Sequence, residues 1–118
     1  MIRDMDAEIT QISYLSDNQI RMVVRSQEGE RIDLSAIWLR IHLQCGGKSF
    51  TAVHDPLGDE SKYCHVDGIA LVVDIPSRRL GLGIVEYMIE VREDSQYFAD
   101  GYKNTFPLEY SQTNIEIV

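Results

Sequence analysis

Apolar and polar residues alternate strictly from Ile37 to Gln44. Ile37, Leu39, Ile41 and Leu43 fall on one side, and Trp38, Arg40, His42 and Gln44 fall on the other. A helix would set Ile37 and Leu39 about 200° apart and scatter the apolar set around its cylinder. A strand gathers all four onto one face. The same period returns at Ile69, Leu71, Val73 and Ile75, and again at Val85, Tyr87, Ile89 and Val91. Earlier in the chain, Ile20, Met22 and Val24 alternate with Arg21, Val23 and Arg25. Strands that are each half buried predict an antiparallel β protein.

Turn chemistry divides these runs. Asp17-Asn18 opens the strand at Ile20, and Glu28-Gly29 closes it. Gly46-Gly47 predicts a hairpin loop between the strand from Ala36 to Gln44 and a shorter one from Phe50 to His54. Asp67-Gly68 predicts a type I′ hairpin joining Tyr63–Val66 to Ile69–Ile75. Pro76-Ser77-Arg78-Arg79 is the next break, and Gly81 and Gly83 precede the strand from Ile84 to Arg92. After Asp100-Gly101, two final strands are expected around Thr105–Tyr110 and Asn114–Val118. Eight or nine short strands with turns between them are the pattern of a β-sandwich or barrel, and an immunoglobulin-like antiparallel β-sandwich is expected over residues 17–118.

Residues 1–16 read two ways. Ile2, Met5, Ile9 and Ile12 fall at 3, 4, 3 spacing, which would form one apolar helical stripe. Glu8 to Leu15 suits an extended edge strand equally well, because Ile9, Thr10, Ile12 and Tyr14 favour strands. The segment is therefore expected to be an N-terminal arm, a short helix or an edge strand.

Composition narrows the partners. The 118 residues suffice for one domain with a real core, burying roughly two thirds of the surface of the unfolded chain. Nineteen acids against 11 bases give a net charge of −8, which repels phosphate backbones and argues against nucleic acid. The longest strongly apolar run, Gly68 to Val73, is far short of the roughly 20 residues that span a bilayer as a helix, so no membrane role is expected. Met1-Ile2-Arg3-Asp4-Met5-Asp6 has none of the basic and apolar regions of a secretory leader, so a cytoplasmic location is expected, with Cys45 and Cys64 reduced.

Candidate chemistry thins out under its own geometric demands. Gly47-Lys48-Ser49 copies the end of a phosphate-binding loop, but His42 stands where the motif needs its first glycine, and a strand-like run follows instead of a helix. His42, Cys45, His54, Cys64 and His65 suggest zinc, yet neighbours such as Cys64 and His65 point to opposite faces of a strand. Asp55, Asp59 and Glu60 lack the ordered spacing of a calcium loop. No nucleophile elbow is present, and pairs of carboxylates are uninformative in so acidic a chain. No catalytic residue, metal site or cofactor is expected. What remains is a possible contact surface, Trp38, Arg40 and His42, on the non-core face of the best-defined strand.

One resemblance spans most of the chain. It rests on Ile32-Asp33-Leu34, on Gln44-Cys45-Gly46-Gly47-Lys48-Ser49-Phe50, and on Cys64 before Asp67-Gly68 with the alternating Ile69–Ile75. It continues through Leu80-Gly81-Leu82-Gly83 into Val85-Glu86-Tyr87, then Phe98-Ala99-Asp100-Gly101 and the ending Asn114-Ile115-Glu116-Ile117. This layout resembles small β-sandwich virion and tail-associated accessory proteins of tailed phages and prophages of gut bacteria; residues 1–16 lie outside it. The resemblance implies a non-enzymatic structural role, synthesis in the host cytoplasm followed by residence in the virion, and partners that are other virion proteins or further copies of the chain. A ligand- or carbohydrate-binding sandwich module is the alternative.

Overall fold

The computed structural model describes residues 2–26, 28–30, 34, 37–56, 61–68, 70–94, 96–97, 102–104 and 109–118, and among these the chain is all β. Ten strands follow in order: β1 (Ile2–Ala7), β2 (Gln11–Ile12), β3 (Asn18–Ser26), β4 (Trp38–Cys45), β5 (Lys48–His54), β6 (Cys64–Asp67), β7 (Ala70–Ile75), β8 (Gly83–Asp94), β9 (Tyr102–Asn104) and β10 (Ser111–Ile117). They form a β-sandwich. Sheet A has four strands in the order β1-β3-β7-β6, and sheet B has six in the order β2-β10-β8-β4-β5, with β9 beside β8.

The period-2 residues build the core. Leu39, Ile41 and Leu43 of β4 are buried, as are Val85, Tyr87, Ile89 and Val91 of β8 and Phe50 and Ala52 of β5. Sheet A answers with Ile20, Met22, Val24, Leu71, Val73 and Ile75. Each fully buried aliphatic side chain contributes roughly 1.5–3 kcal/mol, so this interleaved set dominates the stability of the fold.

Of the readings open for the first residues, the helical stripe does not form and extended edge strands do: β1 ends one sheet and β2 the other. β1 pairs antiparallel with β3, placing Met5 opposite Val24 and Ala7 opposite Met22. Met5 and Ala7 are buried with a period of two, whereas Ile9, a member of the stripe, is 57% exposed. Long-range pairing outweighs the local 3-4-3 spacing. A second correction concerns direction. Gln11 and Ile12 form a short strand parallel to β10, so sheet B is mixed rather than wholly antiparallel. The third is a turn. Asp67 pairs with Ala70, so Gly68 with φ 63 is the first residue of the β6–β7 loop rather than the second. The strand expected at Thr105–Tyr110 falls mostly outside the described residues, as do the Asp100-Gly101 turn and the acidic residues Asp59 and Glu60.

Both open sides of the sandwich are laced. Val53 of β5 exchanges two backbone hydrogen bonds of 2.8 Å with Lys62, just before β6. On the other side, the Asn114 amide accepts from Ala7 N–H at 3.0 Å and donates to Ala7 C=O at 2.7 Å. These links cover part of the edge-strand backbone that would otherwise offer itself for strand pairing.

The β4–β5 hairpin is fixed by two glycines and a neighbour. Gly46 and Gly47 take φ 55 and 81, as a primed two-residue turn requires. The turn lies against the segment before β8, where Gly81 N–H donates to Cys45 C=O at 2.8 Å. A Cβ on Gly81 would stand 2.5 Å from Gly46 O. This is backbone packed on backbone.

Candidate functional site

The outward face of sheet B carries the residues singled out by the alternation. β4 pairs with β8 so that Trp38 lies opposite Arg92, Arg40 opposite Glu90, His42 opposite Met88 and Gln44 opposite Glu86. On the other flank, β5 sets Thr51 opposite His42 and Ser49 opposite Gln44. Opposed residues in an antiparallel ladder approach closely enough to interact, so register alone brings these side chains together.

The contacts run continuously along the face. The Arg92 guanidinium lies 4.1 Å from the Trp38 ring centroid and that of Arg40 lies 5.6 Å away. Arg40 Nε and Nη2 each donate to Glu90 at 2.8 Å, a bidentate pair. His42 Nε2 is 2.7 Å from Glu90 Oε1, and His42 Nδ1 is 3.1 Å from Thr51 Oγ1. An ionised carboxylate only accepts, so Nε2 carries a hydrogen; in the neutral ring, Nδ1 then accepts from the threonine hydroxyl. Gln44 Nε2 donates to Glu86 at 3.5 Å.

Glu90 is the electrostatic centre of the array. Its side chain is only 14% exposed. The hydrogen bonds from Arg40 lower its pKa to about 2, with burial opposing and His42 assisting. Charge-assisted bidentate bonds of this kind favour the ionised carboxylate strongly.

The candidate contact residues are thus gathered on one face, where they differ in exposure. Trp38 is only 8% exposed, so the tryptophan is covered rather than displayed. Glu90, Arg92 and Thr51 join the constellation, and the alternation of β4 alone gave no sign of them. The available signal was the charge pattern of β8, where Glu86, Glu90 and Arg92 share one parity; it becomes specific only once β8 is known to lie beside β4.

Thr51, His42 and Glu90 share the hydroxyl–imidazole–carboxylate connectivity of a nucleophilic relay. Here the carboxylate already accepts two hydrogen bonds from Arg40. Neither described groove reaches the three. One of about 400 Å³ is lined by residues including Asp17, Gln19, Tyr63 and Asp74, and the other, of about 330 Å³, by the β4–β5 turn with Gln44, Ser49 and Glu86.

The remaining chemical candidates are placed apart. Lys48 Nζ donates to Tyr14 Oη and Arg78 C=O, each at 3.0 Å, and a strand follows it, so Gly47-Lys48-Ser49 has no phosphate-binding geometry. Cys45 and Cys64 are buried free thiols in opposite sheets. Burial, helped by Asp74, pushes Cys64 up to about 12; burial and then Glu86 raise Cys45. Thiols held in this way are poor nucleophiles. His54 is buried and His65 exposed, and among the described residues no three His, Cys, Asp or Glu side chains converge as metal ligands.

The fold and this face define an all-β sandwich with a laterally ordered, mixed-charge sheet surface. Compared with known proteins, the sequence matches no family model and no curated protein. Among the described residues, no helix is long and apolar enough to cross a membrane.

Proposed function

We propose that this protein is a non-catalytic contact module, an immunoglobulin-like virion accessory or tail-associated sandwich of the phage and prophage type that its sequence layout resembles. Its partners are other virion proteins or copies of itself, and it works in the host cytoplasm and then in the particle. The observation that carries this reading is the locked state of the outer face of sheet B. Trp38, Arg40, His42, Glu90 and Arg92 already hold one another. A face ordered before binding avoids roughly 0.5–1.5 kcal/mol of entropy loss per long side chain. Arginine is also among the residues that most often dominate binding energy.

The same geometry favours a protein partner over a sugar. Stacking on a carbohydrate ring needs an open aromatic face, and Trp38 lies under Arg92 with 8% of its surface exposed. Gln44→Arg adds bulk and charge to the outer face, whereas His65→Arg alters an exposed position on sheet A. In cells assembling the particle, Gln44→Arg is expected to reduce incorporation of the protein at least about tenfold, equivalent to 1.4 kcal/mol of binding. His65→Arg is expected to be incorporated at the wild-type level. Quantitative mass spectrometry of purified particles reads both, and equal recovery of the two variants contradicts the proposal.

A further inference from the structure

The face has two ends of opposite charge. Along β8 its outward residues run Arg92, Glu90, Met88 and Glu86. Glu90 is neutralised locally by Arg40. Arg92 is not: among the described residues its guanidinium lies on the Trp38 ring and meets no carboxylate. Glu86 likewise meets no cation among the described residues, only the Gln44 amide at 3.5 Å. Arg92 and Glu86 are six positions apart on one strand, a separation of about 20 Å at the usual rise per residue.

We infer that this face pairs with the same face of a second copy across a twofold axis lying in the contact plane and perpendicular to the strands. The inference rests on the reading of the face as a contact surface. Such an axis reverses the strand direction and keeps lateral position, so β8 of one copy lies over β8 of the other, antiparallel. Arg92 then meets Glu86 of the second copy, and Glu86 meets its Arg92. One symmetric contact supplies an opposite charge to Arg92 and to Glu86, neither of which has one among the described residues, and does so twice, as an isologous interface requires. Stacking in the same direction would set arginine on arginine and glutamate on glutamate, a costly juxtaposition. Trp38 comes over Gln44 of the copy, and the Arg40–Glu90 pair over His42 and Met88, so the middle brings no uncompensated charge into the contact.

The patch, about 20 Å along the strands and three strands wide, about 10 Å between the outer strand axes, belongs with small interfaces, so the dimer is expected to be weak and to weaken further with salt. Sedimentation equilibrium up to about 200 μM, a range suited to weak interfaces, tests the pairing. Wild-type protein is expected to dimerise. Arg92→Glu and Glu86→Arg are each expected to dimerise at least tenfold more weakly, because each places like charges at both contacts. Mixed, the two variants are expected to form a heterodimer, since Glu at 92 meets Arg at 86 and native Glu86 meets native Arg92. The double variant is expected to recover self-association. Two misfolded variants could not rescue each other, so the mixture is its own folding control. A wild-type protein that stays monomeric, or a mixture that does, overturns the twofold pairing. If Gln44→Arg is then still lost from particles, the face serves a different partner; if Gln44→Arg is retained, the contact reading fails as well.

Discussion

Glu90→Ala is expected to lower stability by about 2–3 kcal/mol, since it removes the carboxylate that accepts charge-assisted hydrogen bonds from Arg40 and a hydrogen bond from His42. Arg40 loses both ends of a bidentate pair, and His42 loses the acceptor that orients it. The same carboxylate sets an acid limb. Its pKa falls from 4.5 to about 2 on folding. At 1.36 kcal/mol per unit, that difference corresponds to about 3 kcal/mol. Because the folded pKa is the lower one, this stabilisation is fully present above pH 4.5 and is lost as the pH falls towards 2. Urea unfolding of wild type, Glu90→Ala and Glu90→Gln at pH 7, and of wild type and Glu90→Gln near pH 2.5, checks both parts. The gap between wild type and Glu90→Gln is expected to be large at neutral pH and to shrink markedly in acid. Equal midpoints at pH 7 would show that the array is ornamental.

The second large effect concerns backbone rather than charge. Gly81→Ala is expected to lower stability by about 2–4 kcal/mol, in the range of strained overpacking. The added Cβ would lie 2.5 Å from Gly46 O and 2.8 Å from Gly46 Cα, and neither backbone atom can move without opening the β4–β5 turn. Gly47→Ala is the contrasting case, with nothing within 4 Å of the added Cβ but a φ of 81. Its cost is the left-handed backbone alone, about 1–2 kcal/mol. In thermal melts, Gly81→Ala is expected to fall well below Gly47→Ala, by roughly 4 °C or more. Equal melting temperatures would contradict the close approach of the two segments.

Much of the sandwich was legible in the chain because the signal was period rather than propensity. Leu39, Ile41 and Leu43, then Val85, Tyr87, Ile89 and Val91, are buried as their parity required. What escaped notice depends on which strand neighbours which. Nothing local says that Gln11 and Ile12 run parallel to β10, or that Met5 pairs with Val24 instead of joining a helical stripe with Ile9. The candidate site shows the same division. Parity alone sets Trp38, Arg40 and His42 on one face. The burial of Trp38 and the recruitment of Glu90, Arg92 and Thr51 follow from β4 lying between β5 and β8, which loop sequences do not encode.

The account turns on that face being where the protein touches its partner. A photo-crosslinking residue placed at Gln44, compared with one placed at His65 on the opposite sheet, tests this most directly in cells assembling the particle. Adducts to a second copy or to another particle protein are expected from position 44 and not from position 65. Adducts from position 65 with none from position 44 would contradict the account.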